Sequence, residues 1–334
     1  MTRPPSIALF AGDPAGVGPE LVAKVLAEPE SLPAAHIRII AQRKSLEAGA
    51  RAAGVAFPDA LSKKSVSVES AVANVIWDGW DTPEFARGVA DAANGAFMLA
   101  ALRIALDLAQ RGEVDAICFA PLNKAALRAG GMTQEDELRW FADVLEYRGP
   151  VGEFNVLENL WTSRVTSHVP LKSVAGLLSA NGVAEAIALL ADALRRAGNP
   201  APRIGVCGLN PHNGDNGNFG REEIDIIEPG IRLAATRGYA ADGPYSADTI
   251  FVRARKGAFD GVVTMYHDQG QIAMKLMGFD RGVTVPGGLP IPIATPAHGT
   301  AYDIAGKGIA NQGAMRNAFA LATRMGATRR SEAR

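Results

Sequence analysis

Cysteine is nearly missing from this chain, with two in 334 residues: Cys118 in "VDAICFAP" and Cys207 in "RIGVCGLN". That number excludes a disulfide framework. Each lies inside an apolar, strand-like run, so both read as small buried side chains rather than reactive thiols. A charge excess is missing too, because 34 basic and 35 acidic residues leave a net charge of −1, with the basic residues dispersed. Nothing in that balance attracts a polyanion, and nucleic acid is not an expected partner. The one basic cluster, "TRRSEAR" at Thr328 to Arg334, reads as a frayed tail. No uninterrupted apolar stretch reaches the roughly 20 residues of a membrane span. The opening "MTRPPSIALF" is too proline-broken for a secretory signal. These absences point to a cytoplasmic protein with no membrane partner.

What is present suits a globular enzyme. The composition is 48% hydrophobic and 21% charged, and the length admits one large or two ordinary domains with substantial cores. Short apolar runs alternate with longer segments of helical period, the pattern of an α/β protein with a largely parallel sheet. Strands are expected at Ile7 to Phe10, Ile37 to Ala41, Ala116 to Ala120, Ile204 to Gly208 and Gly261 to Met265. The longest helical stretch, Pro83 to Gly112, brings Val89, Phe97, Ala100, Ile104 and Leu108 close to one stripe. Its Gly88 and Gly95 each cost about 1 kcal/mol against alanine, so they are read as points of close backbone packing. A second helix is expected around Val183 to Arg196. No Pro/Ser-rich linker separates the elements, so two domains would have to be joined by chain crossovers.

"AGDPAGVGPE", Ala11 to Glu20, follows the first strand and opens a helix, a context in which backbone amides can face a ligand. It matches neither common phosphate cradle: the Lys-Ser/Thr pair is lacking, and glycines at 12, 16 and 18 do not spell G-x-G-x-x-G. Pro19 suits a first helical turn and Glu20 complements the positive helix end. Locally the loop reads equally as a turn that only builds the fold. Of five histidines, His36 sits in a strand-like run and is a structural or surface residue. His168, His212, His267 and His298 sit in "TSHVPL", "LNPHNGDNGNFG", "MYHDQG" and "TPAHGTAYDIAGKGIANQ". His212 and His267 follow strong strands directly, where an open α/β sheet presents its ligand crevice. Imidazoles from three loops suit a borderline divalent ion with a position open for substrate. Separations of 44 and 55 residues form no local metal motif, so scattered hydrogen-bonded histidines stand as the alternative.

Seven motifs, "GDPAGVGPE", "APLNKAAL", "TSHVPL", "LNPHNGDNGNFGREE", "GPYSADTIF", "YHDQGQIAMK" and "HGTAYDIAGKG", span nearly the whole chain. Their identity and order resemble the 4-hydroxythreonine-4-phosphate dehydrogenase (PdxA) family. Thr295 to Gln312 also resembles the adenosine-binding segment of isocitrate and isopropylmalate dehydrogenases. The resemblance implies a two-domain α/β/α sandwich of that non-Rossmann kind. A dinucleotide-side domain would comprise residues 1–125 and 275–334, and residues 126–274 would form the metal, substrate and dimerisation domain. It further implies a homodimer with a metal site at the subunit interface, drawing on both chains. The implied ligands are His168, His212 and His267, holding a divalent ion, zinc first, with magnesium, cobalt and manganese as alternatives. Asp248, Asp268, Lys275 and Lys124 are the implied catalytic groups. His298, Gly299, Asp303 and Gly306 are the implied cofactor contacts. NAD is expected rather than NADP because the loop lacks an arginine cluster, although Lys307 speaks for the phosphate. The implied reaction is oxidation of a secondary alcohol followed by loss of carbon dioxide.

The chain departs from the family pattern where phosphate is bound. Counted from Lys124, the family's "GHTE" stretch falls on Asp136, Glu137, Leu138 and Arg139, so its His-Thr pair becomes Glu-Leu. Thr284 stands for a family asparagine and Ile293 for a family arginine. Charge-assisted bonds lost here are worth about 1.5–3 kcal/mol each. The expectation is therefore a substrate site formed by Glu137, Leu138, Lys275, Thr284 and Ile293 and made apolar with Pro292 and Trp140. Its substrate would be an unphosphorylated hydroxy acid such as a cis-dihydrodiol carboxylate, as in terephthalate dihydrodiol dehydrogenases, with Arg139 or Arg164 holding a second carboxylate. The alternatives are the family's phosphorylated substrate and a non-catalytic ligand-binding protein on the same fold.

Overall fold

The computed structural model describes residues 3–28, 32–56, 74–76 and 85–332. Its contacts divide it into Met1–Arg148 with Leu289–Arg334, and Gly149–Gly288. In the first unit, β1 (Ser6–Phe10), β2 (His36–Ile40), β3 (Asn74–Ile76), β4 (Ala116–Phe119) and β11 (Ile293–Pro296) form a sheet in the order β3-β2-β1-β4-β11. Its pairs are parallel. Ile7, Leu9, Phe10, Ile39 and Ile40 are fully buried, as expected for strands that helices cover on both faces. Those helices are α1 (Gly18–Leu26), α2 (Arg43–Ala53), α3 (Ala92–Gln110), α4 (Lys124–Ala129), α5 (Glu137–Val144) and α11 (Gly313–Glu332).

Helix α3 begins well inside the expected stretch, whose Pro83 and Glu84 lie outside the described residues. Asp91 accepts a bond from the Asn94 amide and caps it. The buried face is Met98, Ala101, Leu102, Ala105, Leu106 and Ala109 together with Phe97 and Leu108, while Val89 is 44% exposed and Ala100 also faces out. The expected stripe was thus displaced by about one residue, because the alanine-rich sequence leaves the phase of the period weakly defined. By length and composition α3 is capable of crossing a membrane, yet its apolar face packs on β1 and β4. Gly95 does mark close packing: a Cβ there would lie 1.8 Å from the Ala126 carbonyl oxygen. Gly88 serves its left-handed conformation instead, with φ of 70° and nothing nearer to a Cβ than the Tyr302 carbonyl oxygen at 3.7 Å.

In the second unit, β5 (Gly152–Leu157), β6 (Leu160–Arg164), β7 (Ile204–Cys207), β8 (Asp242–Tyr245), β9 (Gly261–Thr264) and β10 (Val283–Gly287) run in the order β10-β5-β6-β9-β7-β8. The β10–β5 and β5–β6 pairs are antiparallel and the rest parallel. Helices α6 (Val174–Leu177), α7 (Ala180–Arg196), α8 (Glu228–Thr236), α9 (Ala247–Arg255) and α10 (His267–Gly278) complete it. Ser179 caps α7, whose Val183, Ile187, Leu190 and Leu194 are buried, each burial contributing about 1.5–3 kcal/mol. Gly261 lets α7 approach β9, since a Cβ there would meet Leu190 Cδ2 at 2.8 Å.

These boundaries differ from the expected 125/126 and 274/275. Residues 126–148 stay with the first unit, where Leu127, Leu138, Trp140 and Phe141 are buried and the Phe141 ring lies 5.9 Å from that of Phe119. Residues 275–288 stay with the second, because β10 pairs with β5. The basic tail is helical through Glu332: Arg329 donates to the Ala109, Val114 and Asp115 carbonyls, and Arg330 to Pro4 and Asp115. Both cysteines are buried, and burial pushes their thiols far up in pKa, so they remain protonated.

Candidate active site

Strands β6, β9, β7 and β8 are parallel neighbours, so their carboxyl ends share one edge of the second unit's sheet. In chain order, His168 follows β6 by four residues, His212 follows β7 by five, Asp248 follows β8 by three and His267 follows β9 by three. Topology therefore delivers all three expected metal ligands and one expected catalytic carboxylate to the same edge, where open α/β sheets bind ligands. The His168 and His267 rings lie 5.7 Å apart, centroid to centroid.

Each imidazole is presented differently. His267 opens α10, and its Nδ1 lies 2.7 Å from Asp268 Oδ1, a partner that favours the Nδ1–H tautomer and leaves the Nε2 lone pair available. Gln269 steadies the same turn by accepting from the Met265 amide and donating to the Gly208 carbonyl. His212 sits in a left-handed turn: His212, Asn213, Asp215 and Asn216 have φ between 42° and 58°. For residues with a Cβ this costs roughly 1 kcal/mol or more each and persists only where neighbours enforce it. Exposed His168 follows Thr166, whose hydroxyl and amide bond the Met265 carbonyl and so tie the β6 exit to the β9 exit.

His267, Gln271 and Lys275 recur every four residues along α10 and share a face. Gln271 donates to Asn155 Oδ1, and Asn155 stands in register with Thr284, their side chains 3.5 Å apart. Arg164, only 6% exposed, is engaged by Glu153, Asn155 and Ser167. Those three partners give the Arg164 guanidinium a structural role in the second unit. Arg139 is likewise occupied, by Asp136 and Glu135.

The first unit presents a second edge, at the carboxyl ends of β1, β4 and β11. There the Gly12–Val17 turn meets the segment from His298 to Ala310. Val17 donates to the Thr300 carbonyl, and Gly16 packs so closely on Thr300 that a Cβ would meet its carbonyl oxygen at 2.8 Å. Tyr302 donates to Asp13 at 2.5 Å, and Asp13 also accepts from the Ala15 amide. Burial pushes the Asp13 carboxyl above its ordinary range, partly offset by those bonds, and burial followed by Asp13 holds the Tyr302 hydroxyl protonated. Buried Glu20 accepts from the Gly308 and Ala310 amides and pairs with Lys24, which donates to both of their carbonyls. The opening glycine turn is thus a brace for the adenosine-type segment.

That segment has the features of a nucleotide cradle. His298 Nδ1 lies 3.0 Å from the Gly299 carbonyl, and its Nε2 is buried with no hydrogen-bond partner among the described residues. Gly299 faces open space, Asp303 is exposed, and Gly306 has φ of 75°. A cleft of about 320 Å³ adjoins Gly306, with Pro19, Lys44, Arg51 and Arg87 among its walls. Arg87 lies over Gly306, within 2.5 Å of where a Cβ would be. The sequence reading missed this arginine because it comes from a different segment of the chain.

Other expected residues fare differently. Asn123 caps α4 through the Ala126 amide, placing exposed Lys124 in its first turn, 3.9 Å from Glu137. Ile293 is fully buried in β11, and Leu138 and Trp140 are 7% and 3% exposed. The apolar substrate lining expected from these residues is corrected: they are core, placed there by strand pairing and by the aromatic cluster on α5.

A parallel sheet edge with a braced glycine-rich segment, and another lined with histidines and carboxylates, define a candidate enzyme of mixed α/β architecture. The comparisons with known proteins specify it. Residues 33–322 match the family described as pyridoxal phosphate biosynthetic protein PdxA, and the chain belongs to that family. It is 57% identical to a Pseudomonas aeruginosa protein provisionally named 4-hydroxythreonine-4-phosphate dehydrogenase 2, over 96% of this chain and 97% of the relative. It is 36% identical to the D-threonate 4-phosphate dehydrogenase of Cupriavidus necator, over 96% and 98%. Among solved structures, 4-hydroxythreonine-4-phosphate dehydrogenase from Klebsiella pneumoniae superposes with a TM-score of 0.82 at 34% identity, over 97% of this chain and 98% of that one. A terephthalate 1,2-cis-dihydrodiol dehydrogenase from Burkholderia xenovorans is more distant, with a TM-score of 0.67 at 29% identity over 96% and 98%.

Proposed function

We propose that this protein is an NAD-linked dehydrogenase that oxidises the secondary hydroxyl of a small hydroxy acid carrying a terminal phosphate, of the 4-hydroxythreonine 4-phosphate or threonate 4-phosphate kind. The observation that carries the chemistry is the delivery of His168, His212 and His267 to one sheet edge beside Asp248. The phosphorylated substrate is supported by the names of the more similar relatives. The expectation of an unphosphorylated dihydrodiol carboxylate drew on an apolar pocket that the burial of Ile293, Leu138 and Trp140 removes. It continues to rest on the family's phosphate ligands replaced at Glu137, Leu138, Thr284 and Ile293 and on a more distant structural likeness.

Three imidazoles on one sheet edge, two of them with rings 5.7 Å apart, are the kind of donor set that takes a divalent ion, zinc foremost. When bound, such an ion lowers the pKa of a coordinated hydroxyl and stabilises negative charge on its oxygen. Asp268 orients His267 through Nδ1, which leaves exposed Asp248 to take the alcohol proton. Lys275, two turns beyond His267 on the same face of α10, provides a cation for the substrate's anionic end. His298, Gly299, Asp303 and Gly306 hold the adenosine end of NAD, with Asp303 bonding a ribose hydroxyl. Decarboxylation of the resulting keto acid belongs to the same reading.

A homodimer belongs to it as well. Ile272 and Leu276 on α10 are 60% and 84% exposed beside Gln271 and Lys275, and Leu171 is 71% exposed. Apolar side chains so placed suit a second copy completing the site. Cytoplasmic location is part of the same proposal. The test is NADH formation by purified protein with 4-phosphohydroxythreonine, D-threonate 4-phosphate and a cis-dihydrodiol carboxylate, side by side. Turnover of a phosphate ester is expected. Turnover of the dihydrodiol alone would return the substrate to the unphosphorylated class, and activity with none would favour a binding protein.

A further inference from the structure

We infer that Glu223 is a positioning residue for His212, acting through the backbone of the β7 exit; the inference rests on the metal reading above. Glu223 opens a π-helical turn, Glu223–Ile227, and is 2% exposed. Its Oε1 accepts from the Leu209 and Asn210 amides, each at 2.7 Å, and its Oε2 accepts from Asn210 Nδ2 at 2.9 Å. Both carboxylate oxygens are therefore spent on the two residues that precede Pro211 and His212. The fit is tight from the other side as well. A Cβ on Gly208 would lie 3.1 Å from Oε1, and one on Gly214 would lie 2.7 Å from Oε2. The carboxylate thus fills the space inside the left-handed turn, touching the chain on both sides of His212.

Gly214, Asn213, Asp215 and Asn216 tolerate the left-handed region, but His212 has no intrinsic preference for it. Glu223 supplies the enforcement: it takes up amides that would otherwise be unpaired and limits the directions in which the turn can relax. Glu222 reinforces it by accepting from the same Asn210 Nδ2 at 2.7 Å. The consequence is preorganisation, with His212 held where an ion would need it. Partners that orient a ligand in this way typically govern metal affinity by about 10–100-fold.

The test uses the full-length protein and cobalt as probe, with three measurements on each variant: cobalt affinity, the visible d–d spectrum of the bound ion, and far-ultraviolet circular dichroism. For Glu223→Ala, an affinity loss of about 10–100-fold is expected, with an altered spectrum and retained secondary structure. Glu223→Gln, which keeps the shape and one acceptor, should recover part of the affinity and the native spectrum. His212→Ala provides the reference. If His212→Ala abolishes binding while both Glu223 variants bind cobalt like the parent with an unchanged spectrum, the positioning role is refuted and the metal reading stands. If His212→Ala binds cobalt normally, the metal reading itself fails. If Glu223→Ala does not fold, Glu223→Gln decides alone: parental affinity and spectrum refute the role.

Discussion

Replacing Glu20 by alanine tests how the opening glycine turn supports the nucleotide segment. The Glu20 side chain is 2% exposed and accepts from the Ala310 amide at 2.9 Å and the Gly308 amide at 3.2 Å, with Lys24 Nζ at 3.0 Å. Alanine leaves those two amides without partners at about 1–3 kcal/mol each. Lys24 retains the Gly308 and Ala310 carbonyls, at 2.9 and 2.7 Å, so it is not stranded. The expected loss of unfolding free energy is therefore about 2–6 kcal/mol, read by urea denaturation. Glu20→Gln retains one acceptor and should lose about half as much. NAD affinity, read by calorimetry, should fall by at least roughly tenfold, the equivalent of 1.4 kcal/mol, because the segment holding His298 and Gly306 loses its two amide ties to α1 and keeps only those made by Lys24. A double-mutant cycle with Lys24→Ala should show coupling of about 0.5–3 kcal/mol. A loss below about 1 kcal/mol with parental NAD affinity would refute the reasoning.

Four further outcomes follow from the geometry. Gly95→Ala gains about 1 kcal/mol of helix propensity but puts a methyl 1.8 Å from the Ala126 carbonyl oxygen, so denaturation should show a net loss of about 1–3 kcal/mol. Gly176→Ala, with nothing within 4 Å, should change stability by less than about 1 kcal/mol. Burial raises Asp13 above its ordinary 3.8, so its contribution to stability is full below that value and is lost as pH rises through the raised folded pKa. The stability of Asp13→Asn relative to the parent should accordingly increase with pH over that window, as read by thermal melts; a flat difference curve would contradict the shift. Lys275→Met should raise KM for a phosphorylated substrate by about 10–100-fold, from the loss of a charge-assisted bond of about 1.5–3 kcal/mol, while leaving the melting temperature nearly unchanged. An unchanged KM would remove Lys275 from the substrate site.

The strands legible in the sequence were β1, β4, β7 and β9, whose runs are buried and largely apolar, and β2, whose Ile37, Ile39 and Ile40 are buried beside half-buried His36 and Arg38. Strand β8 escaped notice because "DGPY" is partly exposed and carries glycine and proline. The β5–β6 hairpin turns through Glu158 in a left-handed conformation, without the glycine that announces such a turn. The histidines could be named from motif order. Their shared edge could not be, because it follows from β6, β9 and β7 being spatial neighbours far apart in the chain. The substitution of Ile293 for a family arginine suggested an apolar pocket, but whether an apolar residue lines a pocket or fills a core depends on strand pairing, here with Ile117. Glu223 gave no signal, since a buried structural carboxylate and a surface one look alike in "REE".

The central claim is that His168, His212 and His267 hold one divalent ion. Crystals equilibrated with zinc and measured at its absorption edge test it directly. One anomalous peak per site is expected, with all three imidazoles as ligands at about 2.0–2.1 Å, and it should be lost in His212→Ala. A zinc-loaded, active enzyme with its peak away from these residues, or with no peak, would contradict it.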